Sequence, residues 1–431
     1  MRTKFTSNEL SALLQGQLLP YGQDGSCPLS GITIRLNRVQ EGDVFFVLNT
    51  DPGAARRQIV AARLQGAAAV VSAVEPYIKN ISCILVDDPA AAMKTAAKYH
   101  RSRLSGTVIG VTGSCGKTTT KELLYAMLSR TAQTARSPGT SNALSATAEN
   151  VLSVGETDRY AVIEAGIAYT GEMEQISAIL QPDIGIVTNI GAAHLEGLGT
   201  VENVLAEKLK IFEHSPPGFT AFLNGDDPLL QTVTDIRGVK PRFFHASDYA
   251  GALPFPGEHF RADVAAAAAV ARFFGVPEAE IEAAVRDFAP PEERCQFITV
   301  GDCTVINDCF NANPASMRSA LELLTTCSGR RVAVLGDMLE LGENAPEYHR
   351  KIGAFAAEKK PDALVCIGEF AESIAYGALE AGFPKEKFVY YPSVDAFLAE
   401  EQQFPTGSTV LLKASHGMCF HRILENLTEK I

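Results

Sequence analysis

Residues 107–120 read TVIGVTGSCGKTTT. The first six are rich in β-branched side chains and predict a strand, the glycine-bearing stretch 113–116 predicts a tight loop, and Lys117 and Thr118 open a helix. A strand that passes through such a loop into a helix aims backbone N–H groups and the positive end of the helix dipole at one point. Phosphates are held that way. Lys117 is placed to reach the outer phosphates and Thr118 to offer its hydroxyl to Mg²⁺, with Gly113, Ser114, Cys115, Gly116 and Thr119 completing the candidate cradle. The full phosphate-loop pattern has glycine five residues before Gly116, where this chain has Val111, so the match is to the shorter GxxGK[ST] form. The strand–loop–helix context, more than the pattern, carries the nucleotide reading.

Further strands are predicted at 160–163, 184–189 and 220–224, separated by helical stretches, and helices at 258–274 and 278–288. This alternation implies βαβ units and a mainly parallel sheet. Upstream, 43–48, 67–72 and 82–86 read as strands, with helices at 54–65 and 89–103. Downstream, 304–307, 332–335, 363–367, 387–390 and 409–412 read as strands with helices between. The expected fold class is α/β in three domains: a small α/β domain at 1–103, a central phosphate-loop domain at 104–291 and a Rossmann-like domain at 292–431.

The composition bounds the function. The 431 residues suffice for about three domains, and 46% hydrophobic content allows sizeable cores. A formal charge of −12 argues against a dedicated nucleic-acid binder. No stretch approaches the roughly 18 apolar residues of a membrane span, and the first fifteen residues lack the apolar run of a signal peptide. The nine cysteines, Cys27, Cys83, Cys115, Cys295, Cys303, Cys309, Cys327, Cys366 and Cys419, form no CxxC pair and read as reduced thiols. A cytoplasmic monomer acting on small molecules, with no nucleic-acid or membrane partner, is expected.

Two more residues stand where ligands collect, outside the carboxyl ends of parallel strands. Glu164 follows the apolar run 160–163, and His194 follows the strand at 184–189 after a short loop. Each could complete a Mg²⁺ shell, and each could equally be an ordinary loop residue.

Several segments, in order, resemble the Mur ligases. Residues 113–119 are similar to the family's TGxNGKTT loop, 183–199 (DIGIVTNIGAAHLEGLG) to its Asn-Ile-x-x-x-His-Leu-Glu stretch, and 223–227 (LNGDD) to its Leu-Asn-x-Asp-Asp. Residues 308–317 (DCFNANPASM) and 335–342 (LGDMLELG) resemble motifs of the branch that adds D-alanyl-D-alanine. The resemblance spans 107–424, about three quarters of the chain. It implies an ATP-dependent ligase that activates a substrate carboxylate as an acyl phosphate for attack by an amine. It further implies ATP and Mg²⁺, with Lys117 and Thr118 on the β/γ-phosphates and first metal, Glu164 in that shell, and His194 on a second Mg²⁺. Lys208 matches a lysine that is carbamylated in the family, Arg294 a hinge arginine that contacts the nucleotide, and Asp308 and Asn311 residues of the nucleotide cleft. Without the resemblance, Lys208 reads as a solvated helix lysine like Lys210.

The chain departs from the family at Cys115, Phe260, Asp263, Phe310 and His416, where asparagine (at the first three), tyrosine and arginine are usual. The amino-terminal domain departs most: Arg35-Leu-Asn37 stands for Asp-Ser-Arg, and 49–57 replaces the Asp-Gly-His loop. Those elements grip the UDP-sugar in the family. Two ligase readings stay open. One is the cell-wall reaction, adding D-Ala-D-Ala to a UDP-muramoyl tripeptide; the other, narrowly preferred, is a Mur-type ligase redirected to a different carboxylate. A non-catalytic nucleotide-binding partner is a third.

Overall fold

The computed structural model describes residues 5–21, 26, 28–254, 257–400 and 404–429, with Cys27 outside them. Three sheets follow one another along the chain. In the central one the order is Arg242–Phe244, Thr220–Asn224, Ile184–Val187, Thr107–Thr112, Tyr160–Glu164, Thr134–Arg136, and every pairing is parallel. Thr107–Thr112 lies in the middle. The loops that leave its carboxyl end and those of its two neighbours therefore emerge side by side.

The amino-terminal sheet runs Gln17–Leu19, Ser82–Leu85, Ala69–Ser72, Val44–Phe46, Ile32–Thr33, antiparallel only at its first pair. The carboxyl-terminal sheet runs Gln296–Val300, Cys303–Asp308, Ser408–Lys413, Arg330–Gly336, Ala363–Ile367, Phe388–Tyr391, antiparallel only at its first pair. Inner strands are found where the apolar runs predict them, to within a few residues. Five strands carry no such signal: Gln17–Leu19, Ile32–Thr33, Thr134–Arg136, Arg242–Phe244 and Gln296–Val300. All five lie at sheet edges. An edge strand is open to solvent along one side and needs fewer apolar residues, so its sequence reads as loop.

The helix Lys117–Ser129 packs against Glu258–Phe273, whose alanines from Ala265 to Ala268 are fully buried and let the two helices approach closely. Helix Pro89–Arg103 begins at an Asp88 cap and joins the first two sheets. Its apolar residues share one core with Val44 and Phe46 on one side and Val151 and Leu180 on the other. Buried Arg101 fastens this joint, donating to the carbonyls of Leu180 (2.9 Å) and Gln181 (2.7 Å) and to the Asp183 carboxylate (2.8 Å). Among the described residues no helix is long and apolar enough to cross a membrane.

Candidate active site

At the carboxyl end of the central sheet lies a cavity of about 520 Å³, walled on the far side by the carboxyl-terminal unit. A volume of this order suits a nucleotide-sized ligand. Its floor is the loop after Thr107–Thr112. Gly116 caps the following helix at φ +78°, and a Cβ there would lie 2.0 Å from Asp263 Oδ1. Gly113 is equally confined: at φ +151°, a Cβ would meet Thr188 Oγ1 at 1.9 Å. Only glycine fits either place.

Ser114, Cys115, Gly116, Lys117, Thr118 and Thr119 all line the cavity. Gly113 does not, but its carbonyl accepts a hydrogen bond from Lys117 Nζ at 2.8 Å. The loop is tied down from the neighbouring strand: Cys115 N–H donates to Asn189 Oδ1 (2.9 Å), and Thr188 Oγ1 donates to the Cys115 carbonyl (2.5 Å). The Cys115 thiol faces the carboxyl-terminal unit, with Asn313 Nδ2 at 3.0 Å and Oδ1 at 3.1 Å. It serves as an inter-unit contact, and among the described residues no histidine or carboxylate is bonded to it.

Glu164, wholly buried, ends its strand beside the loop. It accepts from Thr118 Oγ1 at 2.9 Å and from Asn142 Nδ2 at 2.8 Å, and Lys121 Nζ lies 3.8 Å away. His194 lines the cavity from the loop after Ile184–Val187, with Nδ1 2.5 Å from Glu340 Oε2. Arg294, Asp308 and Asn311 close the far wall. Arg294 lies 4.3 Å over the Phe310 ring, and Asp308 pairs at 2.8 Å with buried Lys413. Lys413 also donates to the Asn311 carbonyl, which fixes that wall.

Lys208 is 1% exposed and does not itself line the cavity. Among the described residues no hydrogen bond or ion pair reaches its amine. Burial, and then the charge of Lys117, hold it well below the usual lysine range. Lys117 is lowered as well, chiefly by burial. Lys210 is the solvated lysine, paired at 2.8 Å with Glu207.

Among the lining or adjoining residues that escaped the sequence reading are Asn142, Asn313, Glu340 and Lys413. Asn313 and Glu340 sit inside DCFNANPASM and LGDMLELG, where a role could have been sought. Lys413 had a fainter signal, a cation closing an apolar strand. Asn142 had none. Among the described residues no cluster of three or more His, Cys, Asp or Glu side chains could cage a metal. Mg²⁺ that takes most of its ligands from phosphates and water needs none.

Residues 111–252 match the description "Mur ligase middle domain", and 293–416 match "Mur ligase, glutamate ligase domain". The UDP-N-acetylmuramoyl-tripeptide–D-alanyl-D-alanine ligase of Bacillus subtilis is 31% identical over 384 residues, covering 81% of this chain and 82% of that protein. The crystal structure of MurF from Acinetobacter baumannii matches with a TM-score of 0.87 and 26% identity over 99% of both chains. That of a MurF ligase from Thermotoga maritima in complex with ADP has the same fold, with a TM-score of 0.77 and 24% identity over 93% of this chain and 97% of that one. With motifs, cavity and three-unit architecture agreeing, the chain belongs to the Mur ligase family of ATP-dependent, amide-forming ligases.

Proposed function

We propose that this enzyme adds D-alanyl-D-alanine to a UDP-N-acetylmuramoyl tripeptide at the expense of ATP. One observation carries the proposal. A single cavity gathers Lys117, Thr118, Glu164 and His194 from three adjacent parallel strands and sets them against Arg294, Asp308 and Asn311. The names of the relatives supply the substrates.

In this reading the tripeptide carboxylate attacks the γ-phosphorus of ATP. ADP leaves, and the carboxylate becomes an acyl phosphate. The dipeptide ammonium first loses a proton to become an amine and adds to the acyl carbon; the tetrahedral intermediate then expels phosphate, its nitrogen gives up a second proton to the departing phosphate, and an amide is left. Lys117 and the N–H groups of 114–119 stabilise the charge on the phosphates during transfer. The carboxyl-terminal wall excludes water that would hydrolyse the acyl phosphate. Thr118 and Glu164 offer hard oxygen donors, and His194 an imidazole, that would hold Mg²⁺, which supplies charge neutralisation on the phosphates. Lys208 fits carbamylation: burial favours the neutral amine, which adds CO₂ and loses a proton to become an anionic oxygen donor.

Domain divisions near 103 and 291 accompany this reading. A monomer acting on small molecules is proposed with it. The eight described cysteines are all free thiols, which suits a cytoplasmic setting.

One observation favours a redirected acceptor. Arg35, in the segment that departs from the family's UDP grip, is turned to the central unit, with Nε 3.2 Å from Glu149 and Nη2 2.5 Å from Ser141 Oγ. ADP release with UDP-muramoyl tripeptide and D-Ala-D-Ala decides between the two. Turnover with that pair is expected; turnover only with carboxylates lacking the UDP group would replace this proposal with the redirected ligase.

A further inference from the structure

We infer that Glu340 is a positioning residue that sets the ring of His194, and that it does so only while the carboxyl-terminal unit is docked as it is here. The inference rests on the metal-ligand reading of His194.

The two residues come from different units, and both have left-handed backbones, φ 56° at His194 and 62° at Glu340. Such conformations disfavour residues with a Cβ and persist where the surroundings hold them. The surroundings of Glu340 do. Met338 N–H donates to His349 Nε2 at 2.8 Å, and Leu339 N–H to Ser415 Oγ at 2.9 Å. The Asp337 carboxylate accepts from the backbone of Glu369 (2.7 Å) and Phe370 (3.0 Å). Three elements of the carboxyl-terminal unit thus grip the loop that presents Glu340. From it Glu340 reaches the central unit twice. Its carbonyl accepts from Glu196 N–H at 3.1 Å, and its carboxylate lies 2.5 Å from His194 Nδ1.

A carboxylate has no proton to give, so the hydrogen of that bond belongs to His194. In the neutral ring Nδ1 carries it and the Nε2 lone pair stays open. Nε2 makes no hydrogen bond among the described residues, and the ring lines the same cavity as Glu164 and Thr118. An imidazole ligates a cation through its bare nitrogen. The other tautomer would turn an N–H toward the cation instead. Because the carboxylate comes from another unit, the ligand is set correctly only when the cleft is closed.

An amide at position 340 could donate to Nδ1 and admit the wrong tautomer, which makes Glu340→Gln the sharp variant. In the whole chain labelled with ¹⁵N in its histidines, His194 is the ring signal missing from His194→Gln. In the neutral ring, observed at alkaline pH, the wild type should show the Nδ1–H tautomer and Glu340→Gln a mixture. The magnesium concentration giving half-maximal ADP release should rise about 10–100-fold in Glu340→Gln, with Glu340→Asp recovering part of the loss. A wild-type tautomer, or a wild-type magnesium requirement, in Glu340→Gln overturns the inference. Full activity in His194→Gln removes instead the metal-ligand reading beneath it, and the inference with it.

Discussion

Lys117 in the cleft and Lys208 buried behind it, and Arg35 and Glu149 at the joint between the first two units, are ionisable groups put to opposite uses. Burial pushes both lysines below the usual lysine range, and Lys208 has no partner among the described residues. At the joint, by contrast, Glu149 forms an ion pair with Arg35 at 3.2 Å and accepts a hydrogen bond from the Thr33 hydroxyl, at 2.9 Å, on its other oxygen. A buried charge without a partner costs stability, and a fold keeps it where a ligand will meet it. Charges that meet each other hold surfaces together. The difference separates a site from a clamp even where both lie between units.

The widest gap between the two regions should appear in turnover. Lys117→Ala is expected to cut ADP release about 10²–10³-fold, with little change in melting temperature, because losing the bond to the Gly113 carbonyl is offset by removing a desolvated amine. A loss of that size in Arg35→Ala would break the comparison. Lys208→Ala should lose about 10–100-fold and regain part of it with formate or acetate in the assay. Unchanged activity in that variant would remove the carbamate.

A smaller effect tests the support of the far wall. Buried His349 is held neutral, its pKa pushed down from 6.5 to about 4 by burial. The unfolded chain takes up that proton near pH 6.5 and the folded chain only near 4, so this part of the stability is full above pH 6.5 and is lost as pH falls toward 4. Urea titrations across that window should show a loss on the order of 3 kcal/mol, with a shallower slope in His349→Gln. Smallest is the clamp. Arg35→Ala should cost about 1–2 kcal/mol, since Arg35 itself is about one-third exposed but its loss leaves the buried Glu149 carboxylate without its cation, and leave the KM for the acceptor substrate unchanged. A tenfold rise in that KM would place Arg35 in the acceptor site.

The phosphate loop was legible because its chemistry is local: strand, two confined glycines, lysine and threonine lie within a dozen residues. Glu164 and His194 were legible as residues outside strand ends. Asn313 and Glu340 sat in quoted motifs, yet their partners Cys115 and His194 lie well over a hundred positions away, and no local pattern pairs them. The five missed strands were illegible for a related reason, since an edge needs only one neighbour and little apolar side chain.

Lys208 and Lys210 show the division most simply. Two residues apart on one helical run, they look alike in sequence, and only the family resemblance told them apart. The helical period turns one into the core and the other to solvent, where Glu207 meets it. The sequence by itself determined the α/β class, the inner strands, the phosphate loop and the family, because apolar runs and motif spacing act over short distances. Tertiary structure alone decided which lysine is stripped of water, which carboxylate faces His194 and which polar residues close the cleft. Burial and cross-unit contact are properties of the packed chain, and no short segment carries them.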